Sequence, residues 1–361
     1  MSQTISLDQA LELRERGALF IDARSPAEYA EATIPGAINI PLLDDAERAE
    51  VGTLYKQQGR PLARRRGVQI VAPKIPTLLD QVAAARPAGA GLTVVFCWRG
   101  GMRSRALTQF LELAGMPARQ LTGGHKAFRR RVIDFFETGV WGRMLVLRGL
   151  TGVGKTRALQ RLAAEGYPVI DLEGLANHRG SAFGNLGLPA QPGQKMFEAL
   201  LWDQLHRIGP GDDVLVEGES RHIGRVSLPP RVHQAMQHET SLWLNASLTT
   251  RTRNILADYP AITALKQQFV APIEALRERL GRQVVGELLV LLDAGDWQRL
   301  VEVLMVRYYD PLYRHTLPER RIEIDFDAAE EGHAALCQAI DRLRQPADSL
   351  AAPATPGWSP S

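Results

Sequence analysis

The sequence predicts two α/β domains, each built on a mostly parallel sheet. Three observations carry this prediction: the 361-residue length exceeds that of a typical domain, strand-like apolar runs alternate with helical segments, and the alternation restarts near residues 138–141. We expect a first domain over 1–138, a second over 139–345 with a helical region at about 262–317, and a disordered Pro-, Ala- and Ser-rich tail over 346–361.

The first domain alternates helices and strands from its start. ISLDQALELRERG predicts a helix that ends at Gly17, ALFIDARS predicts a strand, and SPAEYAE predicts a helix that begins at a Ser-Pro pair before a turn at Pro35-Gly36. The later segments are, in order, a polar helix over 44–59, a helix at IPTLLDQVAAA, a strand at LTVVFC, a helix at SRALTQFLELAG and the closing segment ARQLTGGHKAFRRRVIDFF.

The second domain opens with a strand, a glycine-rich loop and a helix, at MLVLR, GLTGVGKT and RALQRLAAEG. Further strands are predicted at PVIDLE, DDVLVEGES, SLWLNAS and RIEIDF. In such sheets ligands bind at the carboxyl ends of the strands, so polar residues that follow these strands are site candidates.

Composition excludes few classes of function. A net charge of +3 indicates little about nucleic acids, although arginine clusters at 60–66 and 129–131 are either phosphate-binding patches or solvated faces. Two cysteines make no disulfide framework and indicate a reducing compartment. With no signal-peptide pattern and no apolar run of 18 residues, we expect a cytoplasmic protein without a membrane partner.

Cys97 ends a buried strand and enters an Arg-Gly loop that leads into a helix. Backbone N–H groups of such a loop and the positive end of the helix stabilise an anion, so we expect a thiolate nucleophile with a lowered pKa. The alternative is an inert core cysteine. The predicted active-site loop comprises Trp98, Arg99, Gly100, Gly101, Met102 and Arg103.

The segment GLTGVGKT matches the phosphate-binding pattern G-x-x-x-x-G-K-[ST] between a strand and a helix. Its backbone would hold a diphosphate, its lysine would supply a charge, and its last threonine is a candidate ligand for Mg²⁺. ATP, GTP or another diphosphate would fit this pattern. The predicted phosphate-binding residues are Gly149, Thr151, Gly152, Gly154, Lys155 and Thr156.

Polar residues that follow the other strands are candidates for substrate binding or proton transfer. Glu217 and Glu219 either act on a metal, a water or a hydroxyl, or simply end a strand in solvent. After the strand VID, the remaining candidates are Asp171, His178, Arg179 and Ser181.

Three stretches of the first domain, FIDARSPAEYAEATIPGAINIP, VVFCWRGGMRS and LTGGHKAF, resemble rhodanese domains. The resemblance implies that Cys97 carries sulfur as a persulfide. Thr33 departs from the histidine that the family often has there. The Cys-x5-Arg loop is one residue longer than usual and matches the spacing of phosphatases, although Phe96 stands where those enzymes usually have histidine.

Over about residues 5–345 the chain is similar to the tRNA 2-selenouridine synthase family, through CWRGGMRS, GLTGVGKT, DLEGLANHRGSAFG, VEGESRHIG and YYDPLY. The resemblance implies replacement of sulfur by selenium in wobble 2-thiouridine through an S-geranyl intermediate. It implies the co-substrates selenophosphate and geranyl diphosphate, no tightly bound cofactor, an enzyme that supplies selenophosphate, and lysine, glutamate and glutamine tRNAs. It adds Arg221 to the candidates for binding or proton transfer.

The resemblance implies that the phosphate loop and the cysteine loop act in different steps. Lys155 would stabilise departing diphosphate, helices of the 262–317 region would enclose the geranyl chain, and Cys97 would either receive selenium or attack C2 of the base. Tyr308 and Tyr309 either stack on a base or pack between helices. Cys337 is interpreted as a small buried hydrophobe, with a resolving thiol as the alternative.

Two other classes of function stay open. One is a rhodanese-type sulfurtransferase coupled to a nucleotide-dependent kinase or ATPase, which turnover of ATP without tRNA would favour. The other is a non-enzymatic tRNA-binding or sulfur-carrier module. A complete cysteine loop together with a complete phosphate loop argues against that module, because it would need neither.

Overall fold

The computed structural model describes residues 4–86, 91–258, 265–313 and 317–344. Contacts divide the chain into two compact units. The first comprises 1–140, 192–207 and 225–229, and the second comprises 141–191, 208–224 and 230–361. The predicted tail over 346–361 lies outside the described residues.

The first unit contains a five-stranded sheet whose neighbouring strands pair in parallel. The strands are β1 (Thr4–Ile5), β2 (Phe20–Asp22), β3 (Ile38–Asn39), β4 (Thr93–Phe96) and β5 (Ala118–Leu121), in the order β1-β5-β4-β2-β3. All four residues of β4 are buried, which fits its central place in the sheet. The carboxyl end of β4 therefore lies between those of β2 and β5.

Over the described residues before 140, the first unit has seven helices, of which five match helices predicted from the sequence. They are α1 (Leu7–Glu15), α2 (Pro26–Glu31), α3 (Asp45–Gln58), α4 (Arg60–Val71), α5 (Ile75–Ala85), α6 (Met102–Leu113) and α7 (Gly124–Thr138). The opening of the chain differs from the prediction, because Ile5 pairs with Leu121 as a strand and Ser6 caps α1 by accepting the N–H of Gln9. The arginine-rich segment at 60–66, predicted only as a charge cluster, forms most of α4.

The second unit contains a parallel sheet in the order β12-β11-β6-β8-β7. Its strands are β6 (Arg143–Gly149), β7 (Val169–Ile170), β8 (Asp213–Glu217), β11 (Ser241–Asn245) and β12 (Arg321–Asp325). Two short strands, β9 (His222–Ile223) and β10 (Val226–Ser227), belong to neither five-stranded sheet, and β10 lies in the part of the chain assigned to the first unit. The five predicted strands of this sheet are confirmed. Leucines of β6, β8 and β11 form its core with residues such as Leu159 and Leu336.

The remaining helices are α8 (Lys155–Ala164), α9 (Leu172–Ala176), α10 (Gln194–Leu205), α11 (Pro230–His238), α12 (Leu248–Asp258), α13 (Val270–Ala275), α14 (Arg277–Ala294), α15 (Trp297–Leu304), α16 (Asp310–Tyr313) and α17 (Ala329–Arg344). A 3-10 turn at Lys266–Phe269 and a π-helical turn at Met305–Tyr309 join neighbouring helices. The predicted helical region is thus confirmed over 265–313. Tyr309 is buried in its core and Tyr308 packs against that core, so the packing interpretation of this tyrosine pair is confirmed.

Helix α10 belongs to the first unit, although the sequence prediction assigned 139–345 to the second domain. Its apolar side places Trp202 edge-on against Phe128 of α7, with ring centroids 5.2 Å apart. An ion pair joins Arg129 to Glu198 at 2.5 Å, and another joins Arg14 to Asp203. Through these contacts α10 packs with helices that are distant from it in sequence. Local sequence patterns do not reveal such packing. Within the described ranges, no helix has the length and hydropathy needed to span a membrane.

Candidate functional site

Cys97 lies buried just after β4, at the carboxyl edge of the first sheet. The backbone N–H of Gly101 donates to Cys97 Sγ over 3.2 Å, and Ser104 Oγ lies 3.1 Å from the same sulfur. Gln120 Nε2 donates to Ser104 Oγ over 2.9 Å and thereby orients this hydroxyl. The loop thus directs the Gly101 amide at the sulfur, which stabilises negative charge there, and the Ser104 hydroxyl can donate either to the sulfur or to the Gly101 carbonyl oxygen at 3.3 Å.

The start of α7 holds the cysteine loop in shape. The N–H of His125 donates to the Cys97 carbonyl, and the N–H of Lys126 donates to the Trp98 carbonyl, each over 2.8 Å. Gly124 must be glycine in this fold, because its φ is +57° and a Cβ would stand 2.1 Å from the Cys97 carbonyl oxygen. Gly100, with a φ of +66°, is similarly confined, since a Cβ there would stand 2.8 Å from the Leu121 carbonyl.

The charged residues of the loop have different surroundings. Arg103 pairs with Glu28. Burial raises the pKa of Glu28, but its bonds to Arg103 outweigh burial and leave the pKa lowered. Arg99, Trp98 and Met102 are exposed at the surface of the loop. The loop thus keeps one arginine in an ion pair and presents the other to solvent.

A buried ion pair lies at the end of β2, next to the cysteine loop. Arg24 Nη2 donates to Asp22 Oδ2 over 2.6 Å, and Thr33 Oγ1 donates to the same oxygen over 2.9 Å. Thr33, the departure from the rhodanese pattern, thus satisfies a buried carboxylate. Burial, with the nearby Arg24, lowers the pKa of His125 to about 3, so this ring is neutral at physiological pH.

The phosphate-loop motif joins β6 to α8 in the second unit, as the sequence predicts. Gly149, Gly152 and Gly154 have φ values of +148°, +81° and +98°. A Cβ on Gly149 would stand 2.5 Å from the Leu244 carbonyl oxygen, and one on Gly152 would stand 2.7 Å from that of Arg251. These glycines therefore let the loop pass close to the neighbouring backbone. Helix α8 begins directly after the loop, so the backbone N–H groups of its first turn, which have no acceptor within the helix, lie next to the loop.

Acidic side chains gather beside this loop. Thr156 Oγ1 donates to Glu173 Oε2 over 3.2 Å, and the N–H of Glu173 donates to Glu217 Oε1 over 2.5 Å. Lys155 donates to the Gly149 carbonyl over 3.2 Å and attracts the charges of both Glu173 and Glu219. The structure thus brings Lys155, Thr156, Glu217 and Glu219 together, and it adds Glu173, which the sequence analysis left out of the site.

Burial and mutual repulsion favour protonated carboxyls in this cluster. Burial, together with the neighbouring Glu219, raises the pKa of Glu173 to about 8 against the opposing effect of Lys155. Burial likewise raises the pKa of Glu217 and of Glu219. Glu217 Oε2 is buried without a hydrogen-bond partner in the described part of the chain. Hydroxyl and carboxylate oxygens with an unused acceptor fit a hard cation such as Mg²⁺.

The other predicted residues of the second unit have mostly structural contacts. Asp171 caps α9, because its Oδ1 accepts the N–H of Gly174 over 2.7 Å. Arg179 Nη1 donates to the Leu186 carbonyl over 2.8 Å, and the Ser181 carbonyl accepts the N–H of Gly184. His178 keeps a buried Nδ1 without a partner among the described residues, whereas Arg221 is exposed.

Residues from α12 and α16 complete the surroundings of the phosphate loop and were missed by the sequence analysis. Arg251 is buried, forms a two-bonded ion pair with Asp310 at 2.8 Å, and donates to the Thr151 carbonyl over 3.3 Å. Thr151 Oγ1 also donates to the Tyr313 hydroxyl over 3.4 Å. The available signal was the motif YYDPLY, whose Asp310 and Tyr313, not its first two tyrosines, face the loop.

A cavity of about 340 Å³ adjoins the phosphate loop. Apolar and polar side chains share its wall: Leu150, Trp243, Asn245, Asp310, Tyr313, Leu317 and Glu323. From the 262–317 region, Asp310, Tyr313 and Leu317 line this cavity, whereas apolar residues of α13, α14 and α15 pack against one another.

The two arginine clusters differ in how much charge they leave free. Arg129, Arg130 and Arg131 each form an ion pair with a carboxylate. On α4, Arg64 and Arg65 are exposed and form no ion pair or hydrogen bond with any described residue. Only the α4 cluster therefore offers unneutralised charge to a partner.

Comparison with known proteins assigns both units to described families. A family model for the "tRNA 2-selenouridine synthase AAA domain" matches residues 142–342, and a model for the "rhodanese-like domain" matches residues 6–131. The chain is 39% identical over 346 residues to a tRNA 2-selenouridine synthase of Cupriavidus necator, covering 86% of this chain and 91% of that relative.

Two further relatives are described in the same way. A tRNA 2-selenouridine synthase of Ectopseudomonas mendocina is 36% identical, with 90% of this chain and 92% of the relative covered. One of Nitrosomonas europaea is 31% identical, with 88% and 94% covered. Each similarity spans both units.

Proposed function

Because this chain belongs to the tRNA 2-selenouridine synthase family, we propose that it is a tRNA-modifying transferase that replaces sulfur by selenium in wobble 2-thiouridine. The observation that carries the proposal is the presence, in one chain, of a cysteine held by a loop amide and a complete phosphate loop. We further propose that the substrates are the lysine, glutamate and glutamine tRNAs, and that a separate enzyme supplies selenophosphate.

The proposed first step is S-geranylation at the phosphate loop. The sulfur of 2-thiouridine bonds to C1 of geranyl diphosphate, the C–O bond breaks, diphosphate leaves, and the N3 proton of the base is released to solvent. Lys155 and the N–H groups at the start of α8 neutralise the leaving group. Mg²⁺, when bound, would share that charge, and Thr156 with the neighbouring Glu173 or Glu217 would hold it.

The cavity beside Leu150 supports a prenyl substrate over a bare phosphate. Leu150, Trp243, Tyr313 and Leu317 supply apolar surface directly next to the phosphate loop. A geranyl chain has no polar group to satisfy, so such a surface favours it by burial. We propose that the chain of geranyl diphosphate occupies this cavity.

The proposed second step replaces the alkylated sulfur. Alkylation makes C2 more electrophilic and converts sulfur into a thiol leaving group. The selenium of selenophosphate adds at C2, the P–Se bond breaks as water takes the phosphoryl group to give phosphate, and geranylthiol leaves with a proton. Cys97 either holds selenophosphate beside its loop for this addition, or adds to C2 first, expels geranylthiol and is then displaced by selenium. The amide of Gly101 and the hydroxyl of Ser104, both within 3.2 Å of Sγ, support an anionic sulfur or selenium in either role.

We propose that α4 binds the tRNA backbone. Arg64 and Arg65 are exposed and unpaired within the described chain, unlike Arg129, Arg130 and Arg131. Phosphate contacts from free arginines supply affinity that falls with salt.

The test is nucleoside mass spectrometry on a 2-thiouridine anticodon stem-loop incubated with geranyl diphosphate, selenophosphate and Mg²⁺. Lys155→Ala is expected to lower geranylation at least about 100-fold, since it removes a charge from the departing diphosphate. Cys97→Ser should still geranylate but install no selenium. Arg282→Ala, which removes an exposed charge from α14, is the control and should match wild type.

The outcomes separate the alternatives. Normal geranylation by Lys155→Ala would contradict the role of the phosphate loop. Selenium installed by Cys97→Ser would contradict the role of the cysteine. If wild type forms neither product but hydrolyses ATP without tRNA, the sulfurtransferase coupled to a kinase or ATPase replaces this proposal.

A further inference from the structure

Three potential metal ligands converge at the end of α8 that is remote from the phosphate loop. Glu165 follows the last residue of α8, and His333 and Cys337 lie one turn apart on α17. His333 Nε2 lies 2.9 and 2.8 Å from the two carboxylate oxygens of Glu165 and 3.5 Å from Cys337 Sγ. One ligand atom from each residue falls within 4.8 Å of the other two.

The arrangement differs from a catalytic relay. In a nucleophile–histidine–carboxylate triad, the nucleophile and the carboxylate bond to opposite nitrogens of the ring. Here both Cys337 and Glu165 approach the same nitrogen, Nε2, while the buried Nδ1 has no partner among the described residues. Nε2, Glu165 Oε2 and Cys337 Sγ thus form a compact triangle, as three ligand atoms of one metal ion do.

The spacing and the charge both fit one divalent transition metal. Around a tetrahedral Zn²⁺, with Zn–S of about 2.3 Å and Zn–N and Zn–O of about 2.1 Å, ligand atoms lie about 3.4–3.6 Å apart. The N···S distance is 3.5 Å, the S···O distance is 4.0 Å and the N···O distance is 2.8 Å. Side-chain rotations that lengthen N···O by about 0.6 Å and shorten S···O bring all three distances to these values. A thiolate and a carboxylate together balance a charge of +2.

We propose that Glu165, His333 and Cys337 form a binding site for a divalent transition metal of the Zn²⁺ type, with water as the fourth ligand. On binding, the Cys337 thiol releases its proton to solvent and a metal–sulfur bond forms, while the neutral His333 ring carries its proton on Nδ1 and binds the metal through Nε2. The Arg161 contact with Glu165 gives way, and Arg161 keeps its pair with Glu330 at 2.8 Å. This assignment replaces the interpretation of Cys337 as only a small hydrophobe.

The site has a structural role in this proposal. Helix α8 has ten residues, so its two ends are about 15 Å apart, too far for a metal at Glu165 to touch a ligand at Lys155. Instead the metal would link the end of the phosphate-loop helix to α17, which packs on the same sheet. The loop at the other end of α8 would then be held by a helix that is fixed at both ends.

The test uses the full chain, freed of metal with a chelator and titrated with Co²⁺, which absorbs visibly in tetrahedral sites. We expect one equivalent to bind with a thiolate-to-cobalt charge-transfer band. Cys337→Ser should lose that band, while Cys97→Ser, which removes the other cysteine, should keep it. Zn²⁺ at about a hundredfold excess over its Kd should raise the Tm of wild type by about 5–10 °C.

Folding and adventitious binding are controlled by the same variants. Cys337→Ser changes one atom, so its Tm without metal should equal that of wild type, and Zn²⁺ should leave it unchanged. A thiolate band that survives in Cys337→Ser, or that disappears in Cys97→Ser, would assign the metal to Cys97 and overturn the proposal. Wild type without a thiolate band at saturating Co²⁺ would overturn it as well.

Discussion

Glu173 shows how one side chain acquires its properties from its surroundings. Burial, with the adjacent Glu219, raises its pKa to about 8, although Lys155 opposes the change. Between its ordinary pKa of 4.5 and about 8, the folded chain therefore binds a proton that the unfolded chain lacks. Stability from this residue is present at low pH and is lost as pH rises through that window.

Glu173→Gln should remove this pH dependence, because glutamine resembles the protonated acid at every pH. Each pH unit in the window changes the free energy of unfolding by at most about 1.4 kcal/mol. From pH 5.5 to 7.5 the variant should gain about 1–2 kcal/mol relative to wild type, measured by urea unfolding. Glu278→Gln, an exposed position on α14, is the control. A constant difference between Glu173→Gln and wild type at the two pH values would refute the assignment.

At the scale of elements, the cysteine loop depends on the helix that follows the next strand. The N-terminus of α7 supplies the N–H groups of His125 and Lys126 to the loop, and Gly124 lets the two backbones touch. Gly101, by contrast, has a φ of −93° and no atom within 4 Å of a Cβ built on it. Two glycines of the same site thus have opposite tolerance for a methyl group.

Gly124→Ala should destabilise the first unit by about 2–4 kcal/mol, since its Cβ meets backbone that no side-chain rotation can relieve. Gly101→Ala should change stability by less than about 1 kcal/mol, as a cap residue without a clash. Thermal unfolding of both variants gives the comparison. Equal stability of the two would mean that α7 does not approach the loop as described.

At the scale of the whole molecule, the first unit is discontinuous in sequence. Its strands and α1–α7 end by residue 140, yet α10 supplies Trp202, which is almost fully buried, and three ion pairs. A domain cut at the apparent boundary therefore loses part of its own core.

A fragment of residues 1–140 should consequently unfold at lower temperature than the first unit of the full chain and bind a hydrophobic dye through the uncovered face of Phe128. In the full chain, Trp202→Ala should cost about 3–5 kcal/mol. Trp98→Ala, at a tryptophan that is 37% exposed, should cost much less in unfolding experiments. A fragment as stable as the intact unit would show that α10 is dispensable.

The sequence by itself determined the parts of this protein that lie within short segments. The parallel α/β architecture follows from its alternating pattern, and both loops are recognisable because their glycines, Cys97, Lys155 and Thr156 are local in the chain. Backbone geometry within a few residues needs little more than the identity of those residues.

Only the tertiary structure decided which distant residues meet. Glu173 beside Glu219, Gly124 against the Cys97 carbonyl, Arg251 on Asp310 and the convergence of Glu165 with Cys337 each join separate elements. The same holds for α10, whose place depends on Trp202 and Phe128. Contacts of this kind depend on the order of the strands in a sheet and on how the helices pack on it. Many residues share the burial that fixes this packing, so no single segment of the sequence encodes it.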